Sequence, residues 1–168
     1  MPTEPVFSET LQVALVVRDL DAAMRTYVHD YGIGPWDIYE FNPKTVENMT
    51  LHGEPADYAM RIAVTMVGNV QWELIEPLDD KSIYAQFLAS GREGLHHVGM
   101  ATRGTYGEAL EEARAKGRKV IQGGRYNGVD FAYLSTADDL GVITEIFNWP
   151  EGHRQEPDAV YPPPGGDA

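Results

Sequence analysis

The chain has 168 residues, 43% of them hydrophobic, which suffices for one compact domain or two small modules that share a core. Its formal net charge of −13 argues against nucleic acid or an anionic membrane as the main partner, because their phosphate groups would be repelled. The absence of cysteine excludes disulfides and thiolate metal sites.

Residues 10–78 are predicted to form a first module with one helix and four strands. Its elements, in chain order, are a strand at 11–17, a helix at about 21–31 and strands at 36–41, 58–67 and 69–76. Asp19 is placed to cap the helix, and Gly68 with Asn69 to form the tight turn between the last two strands. The polar segment 42–57 is longer than an ordinary connection, so we predict a lid over a binding cup there.

Residues 95–149 are predicted to repeat that order as a second module, after a linker with a short helix at 79–94. The elements of the second module are a strand at 95–101, a helix at 105–117 and strands near 119–122, 129–135 and 141–147. The prolines and terminal glycines of 150–168 predict an irregular tail outside the core. The sequence therefore predicts an α+β fold in which one β-α-β-β-β unit occurs twice.

Each module carries one polar residue on its first strand and one glutamate on its last strand. These residues are Gln12 and Glu73 in the first module and His97 and Glu145 in the second. Because alternate side chains of a strand share a face, each polar residue lies on the face that carries small residues, which leaves room for a concave cup. An unpaired buried carboxylate is costly, so both glutamates need a cation or strong donors nearby.

Taken singly, these four residues have ordinary structural explanations, such as a surface glutamate or a core histidine. Their matching register in two modules favours a shared metal site instead. Two carboxylates, an imidazole and an amide oxygen suit Zn, Co, Ni, Mn or Mg better than copper or an iron–sulfur centre. A six-coordinate ion would keep two positions for substrate oxygens and would stabilise an enolate. Glu145 is then the first choice for the catalytic base that removes the proton, and Glu73 is the second.

Aromatic residues are frequent on the strands that should line this cup, and they suit a flat or apolar substrate. The predicted substrate-binding aromatics are Trp36, Tyr39, Phe131, Tyr133 and Phe147. The alternative, that many of the strand aromatics fill the core between sheet and helices, stays open at this point.

Residues 72–78, 94–98 and 141–146 resemble the vicinal oxygen chelate superfamily, which includes glyoxalase I, methylmalonyl-CoA epimerase, extradiol dioxygenases and antibiotic-resistance proteins. They are most similar to the epimerase branch, and the resemblance covers about residues 10–149. It implies two β-α-β-β-β modules that form a cupped, barrel-like mixed sheet, with the helices outside and a divalent metal inside. The positions that match the family's metal ligands are Gln12, Glu73, His97 and Glu145.

The sequence departs from the known branches at several positions. Epimerases usually carry His where Gln12 stands. Gln there is similar to eukaryotic glyoxalase I, but Val16 and Pro77 replace that enzyme's glutathione-binding Arg and Asn. Epimerases also carry an acid on the third strand as a second base, whereas Arg61 is the only charged residue of that strand here. Arg61 is predicted to bind a substrate carboxylate or an enolate oxygen, with a solvated edge-strand arginine as the alternative.

These observations predict a metal-dependent isomerase, epimerase or lyase that transfers a proton next to a chelated carbonyl or vicinal-oxygen group. The expected partner is a small-molecule substrate, with an acyl-CoA and an aromatic compound as candidates, and the expected assembly is a homodimer. Neither a secretory signal nor an apolar run of about 20 residues is visible, so we expect a cytoplasmic protein. The alternative is a small-molecule binding or resistance-type protein that uses the same cup without catalysis.

Overall fold

The computed structural model describes residues 5–165, in which 11 strands form one mixed, open sheet. The strands are β1 (Phe7–Val16), β2 (Trp36–Phe41), β3 (Val46–Leu51), β4 (Glu54–Pro55), β5 (Met60–Val67), β6 (Val70–Pro77), β7 (Gly94–Thr102), β8 (Val120–Tyr126), β9 (Val129–Leu134), β10 (Ile143–Asn148) and β11 (Ala159–Tyr161). The helices are α1 (Leu20–Tyr31), α2 (Ile83–Ala89), α3 (Tyr106–Ala115) and α4 (Ala137–Leu140). None of these described helices is long and apolar enough to cross a membrane.

Two copies of one β-α-β-β-β unit make up the centre of the sheet. The strand order is β2-β5-β6-β1 in the first copy and β8-β9-β10-β7 in the second, so corresponding strands occupy corresponding places. In each copy the first strand pairs in parallel with the last, and β1 pairs antiparallel with β7 to join the copies. The predicted α+β fold, a cupped mixed sheet with two repeated units, is confirmed.

Helices α1 and α3 connect the first and second strands of their copies and pack on the convex face of the sheet. The Asp19 side chain caps α1 by accepting a hydrogen bond from the Ala22 amide at 2.8 Å, and Gly32 ends the helix in the left-handed conformation. Thr105 and Glu108 form a capping box at the start of α3. The buried side chains of both helices pack against outward-facing strand residues, so neither α1 nor α3 covers the concave face.

Residues 42–57 do not form the predicted lid loop, because they hold β3 and β4. Strand β3 pairs antiparallel with β8 of the second copy, although only the turn 42–45 separates it from β2 of the first copy. Since β2 and β8 are the outermost strands of the two copies, this short connection requires the sheet to curve until its ends approach. A register shift between Glu47 and Thr50, where Asn48 has a φ of 53°, interrupts the alternation and hides the strand period from sequence inspection.

The C-terminal segment also adds to the sheet, contrary to the wholly irregular tail predicted for 150–168. Strand β11 pairs antiparallel with β2, and the Asp158 carboxylate accepts a hydrogen bond from the Glu40 amide at 2.8 Å. A three-residue strand is too short to show a hydrophobic period, so only its pairing partner identifies it.

Two short rows of residues cross the middle of the concave face. Strand register defines them as Glu73–Ala14–His97 and Gln12–Gly99–Glu145. The repeat relates the two rows to each other, because β1 corresponds to β7 and β6 to β10. The middle residue of each row is small, so the four larger side chains have room to converge above the sheet.

Replacement of Gly99 by alanine is expected to destabilise the fold. A Cβ atom there would lie 2.8 Å from Gln12 Cβ and 3.0 Å from Phe147 Cε1, closer than van der Waals contact allows. Such overpacking costs about 1–3 kcal/mol, measured as the free energy of unfolding by denaturant titration. The control is Gly107→Ala in α3, where no atom lies within 4 Å and alanine should be neutral or stabilising. Equal stability of Gly99→Ala and the wild type would contradict the packing described for this row.

Candidate functional site

Three ionisable side chains meet at the centre of the concave face. His97 Nε2 lies 3.4 Å from Glu73 Oε2 and 3.3 Å from Glu145 Oε2, and one potential ligand atom of each residue lies within 4.8 Å of the others. The His97 side chain is fully buried, and the two carboxylates are 8% exposed. The structure therefore brings together three of the four residues predicted as metal ligands.

Gln12, the fourth predicted ligand, lies in the same row as Glu145 and is also buried. Its side-chain Nε2 donates a hydrogen bond to Gln71 Oε1 at 2.7 Å, which fixes the orientation of the amide. Its Oε1 then has no hydrogen-bond partner among the described residues, and the same holds for Glu73 Oε2 and His97 Nε2. Three buried polar atoms without a hydrogen bond in one place are unusual, and each is of a type that binds a cation.

The ring of His96 orients the ring of His97. The two Nδ1 atoms are 2.9 Å apart, so one of them donates and the other accepts. Burial, then the charges of His97 and Arg92, lower the pKa of His96 to about 3, so His96 is neutral and able to accept. With His97 Nδ1–H as the donor, His97 Nε2 is the nitrogen directed at the glutamates. His96 also packs against the rings of Tyr84 and Phe87.

Burial and mutual contacts shift the pKa values of His97 and Glu73 in this cluster. Burial alone would lower the pKa of His97, but its contacts with Glu145 and Glu73 outweigh burial and raise the pKa to about 9. Burial raises the pKa of Glu73, and the repulsion from Glu145 adds to this, while His97 acts in the opposite direction. In the absence of a metal, a proton on His97 therefore balances part of the negative charge of the two carboxylates.

A cavity of about 110 Å³ opens beside the cluster, and mainly apolar and aromatic side chains line it. Its lining residues are Gln12, Tyr39, Phe41, Met60, Ile62, Val64, Gln71, Glu73, Tyr84, Tyr126, Val129, Phe131, Tyr133, Glu145, Phe147, Trp149 and Gln155. Four of the predicted substrate-binding residues belong to this set, namely Tyr39, Phe131, Tyr133 and Phe147. Their placement fits the prediction, while their role in binding stays a prediction.

Trp36 and Arg61, the other two predicted substrate-binding residues, lie away from the cavity. Trp36 is fully buried on the convex side, in the cluster under α1. Arg61 pairs with Asp21 at 3.0 Å and Glu76 at 3.4 Å on the outside of the sheet. Strand alternation accounts for both placements, because Trp36 is an odd number of positions from Tyr39, and Arg61 stands between two inward-facing residues of β5.

Sequence reasoning missed Tyr84, which pairs with the predicted residue Tyr133 beside the cluster. The Tyr84 hydroxyl donates a hydrogen bond to the Tyr133 hydroxyl at 2.6 Å, and both side chains line the cavity. Burial raises the pKa of both hydroxyls well above the usual value, so both keep their protons. Tyr84 belongs to α2, and no strand period could reveal its position. Gln71, in contrast, shares the inward face of β6 with Glu73, so alternation along that strand was a usable signal.

A family model described as the Glyoxalase/Bleomycin resistance protein/Dioxygenase superfamily matches residues 11–133 of the chain. No curated protein matches the chain at a significant level.

Solved structures of similar fold include a hypothetical protein from Bacillus halodurans C-125. It is 20% identical over 88% of this chain and 98% of that chain, with a TM-score of 0.66. A methylmalonyl-CoA epimerase variant from Streptomyces coelicolor, in complex with 2-nitronate-propionyl-CoA, is 22% identical over 89% of this chain and 99% of that chain, with a TM-score of 0.62. The epimerase from Mycobacterium tuberculosis is 21% identical over 89% of this chain and 94% of that chain, with a TM-score of 0.61. The resemblance predicted from the sequence is confirmed, and at these identities the structures establish the fold alone.

Stabilisation by His97 in metal-free protein is expected to depend on pH. Its pKa in the folded state is about 9, above the ordinary 6.5, so its stabilising contribution is fully present below pH 6.5 and is lost as the pH rises through 9. The measurement is the free energy of unfolding of chelator-treated wild type and His97→Gln between these limits. His29→Gln, at an exposed position of α1, is the control for loss of a histidine. A wild-type advantage that does not change with pH would contradict the protonated cluster.

Proposed function

The chain belongs to the Glyoxalase/Bleomycin resistance protein/Dioxygenase superfamily, and from this premise we propose that it is a metal-dependent isomerase, epimerase or lyase. The observation that carries the proposal is the set of buried atoms without a hydrogen bond on Gln12, Glu73 and His97, beside the Glu145 carboxylate. The strand register supplies these four side chains from equivalent positions of the two repeated units.

The donor set and its spacing fit a divalent metal ion. Two ligand atoms that each bind one ion at about 2.0–2.2 Å lie roughly 3–4 Å apart. The separations of 3.3 and 3.4 Å between His97 Nε2 and the two carboxylate oxygens are in that range. Two carboxylate oxygens, one imidazole and one amide oxygen suit Zn, Co, Ni, Mn or Mg. Such an ion supplies Lewis-acid chemistry, which polarises a carbonyl and acidifies the neighbouring C–H group.

Glu145 is the base that we propose for the proton transfer, with Glu73 as second choice. Both carboxylates line the cavity, and Glu145 pairs with Tyr133 across β9 and β10. As the C–H bond breaks, the proton moves to a carboxylate oxygen and the electron pair moves onto the carbonyl oxygen of the substrate. Return of that proton to the former carbonyl carbon, with transfer of the hydroxyl proton of the neighbouring carbon to the newly formed oxyanion, converts an α-hydroxycarbonyl substrate into its isomer. The hydrogen bond between the Tyr84 and Tyr133 hydroxyls uses only one of their two protons, so the other proton is available to the oxygen that becomes negative.

The side chains that line the cavity favour a mechanism with one catalytic base over a mechanism with two. The residues of β5 that line the cavity are Met60, Ile62 and Val64, and none of them accepts a proton. An epimerase with a second base on this strand is therefore less well supported than a shuttle in which one glutamate acts on one face of the substrate. Epimerase structures similar to this one hold CoA esters, so an acyl-CoA enters the proposal as a substrate candidate. The aromatic lining of the cavity adds an aromatic compound as a second candidate. The homodimer and the cytoplasmic location stay predictions from the sequence.

Glu145→Gln is expected to lose the metal and the proton transfer together. Metal affinity should fall by more than about 100-fold, since a ligand is lost rather than a supporting hydrogen bond. The measurements are the metal content of purified protein and deuterium uptake from heavy water into α-hydroxyketones. Glu76→Gln is the matched control, because Glu76 belongs to the same strand as Glu73 but pairs with Arg61 on the outer face. A wild type that binds small molecules in its cavity yet takes up no divalent ion would contradict the proposal and favour the binding protein.

Replacement of His96 tests the orientation of the histidine ligand. His96→Leu removes the acceptor for His97 Nδ1–H, and loss of such a supporting contact lowers metal affinity by about 10- to 100-fold. His96→Asn keeps an oxygen acceptor near the Nδ1 position and should retain most of the affinity. The readouts are cobalt(II) affinity in competition with a chromophoric chelator and the visible spectrum of the bound ion. Unchanged affinity in His96→Leu would show that packing alone orients His97.

A further inference from the structure

We infer that the substrate is an uncharged molecule that carries one aromatic ring beside two adjacent oxygen atoms, and that it is not a carboxylate. This inference rests on the proposed function, since it names the substrate class of the same site. The chemical character of the cavity walls carries it.

Aromatic rings form the wall of the cavity where the two ends of the sheet approach. Phe41 of β2 and Tyr126 of β8 stack with ring centroids 4.0 Å apart, and Tyr39 meets Tyr126 edge to face at 6.2 Å. Phe131 continues this wall toward Tyr133 and the carboxylates. Ring faces and edges of this kind bind a further ring in offset or T-shaped contact.

The lining carries no positive charge to receive an anion. Among the lining residues, all of them within 5–165, Glu73 and Glu145 are the only charged ones, and none is Lys or Arg. Arg61 faces away toward Asp21 and Glu76. Arg125, on β8, is paired with Asp130 at 3.1 Å. A divalent ion would only balance the two glutamates, so a substrate carboxylate would bury an uncompensated charge in an apolar cavity, which is costly.

The volume of the cavity limits the size of the substrate. A volume of about 110 Å³ is below the ~150 Å³ of an apolar cavity that accepts a benzene ring, so the cavity admits one aromatic ring at most. We place that ring against the aromatic wall and the two oxygen atoms at the glutamates.

Three small-molecule probes distinguish the effect of ligand charge on binding from the effect of an aromatic ring. The neutral aromatic probe is 2-hydroxy-1-phenylethanone, phenylglyoxylate has the same ring and adjacent oxygens with a negative charge, and hydroxyacetone lacks the ring. Calorimetric titration of zinc-loaded protein is expected to show the neutral aromatic probe binding more tightly than phenylglyoxylate by about tenfold or more. The affinity for the neutral aromatic probe should also exceed the affinity for hydroxyacetone by roughly tenfold or more, because hydroxyacetone has no ring to bury.

Two variants on one strand test the role of charge. Val64→Arg places a cation on the cavity wall and should reverse the preference in favour of phenylglyoxylate. Arg61→Gln, on the outward face of the same strand, should leave the preference unchanged. Loss of phenylglyoxylate binding in Arg61→Gln would instead show that Arg61 receives the carboxylate. The comparison of probes on the wild type decides the question even if Val64→Arg does not fold.

The outcomes for the inference and for the proposed function are distinct. One zinc ion per chain, together with equal or tighter binding of phenylglyoxylate, overturns the inferred substrate class and leaves the metalloenzyme intact. Failure of the neutral aromatic probe to bind zinc-loaded protein overturns the inference as well. Absence of zinc binding, measured on the same sample, overturns the proposed function itself.

Discussion

The antiparallel pairing of β1 with β7 joins the two repeated units and fixes the position of every group in the candidate site. It sets Gln12 opposite Gly99 and Ala14 opposite His97, and the parallel partners β6 and β10 then bring in one glutamate from each side. Because side chains alternate between faces, a slip of one residue in this pairing would turn the two groups of one repeated unit to the face opposite the two groups of the other. The geometry of the site therefore depends on the register of β1 against β7, and the small middle residues of the two rows keep the centre of the site open.

The metal-free cluster is energetically costly, and this cost is informative about function. Two carboxylates and an imidazole, all at most 8% exposed, would be unstable together unless a positive charge accompanied them. Protonation of His97 supplies one such charge, as the rise of its pKa to about 9 reflects. A fold that needed only a stable core would fill these positions with apolar residues of similar volume. Their retention in both copies is understandable if a divalent ion normally supplies the charge.

The repeat and the convergence of the four proposed ligand residues could be predicted from the sequence, because both depend on local patterns. Strand alternation placed Gln12 and His97 on the inward face, and the structure agrees. Strict alternation along β2 would also have predicted that Trp36 lies on the face opposite to Tyr39, against the helices. Tyr84 could not be assigned from the sequence, because its contacts depend on how α2 packs against the strands.

The two additions to the repeated units explain how the fold acquires its aromatic cavity. In a sheet built from the repeats alone, β2 and β8 would be open edges, which proteins usually protect. Here β11 covers β2 and β3 covers β8, and the turn 42–45 ties the two ends together. The buried Tyr58 hydroxyl donates to the Gly123 carbonyl at 2.9 Å and reinforces this closure. Since the tie holds β2 and β8 close, rings from both strands meet across the cavity. The connection that closes the cup thereby also creates the aromatic wall of the cavity.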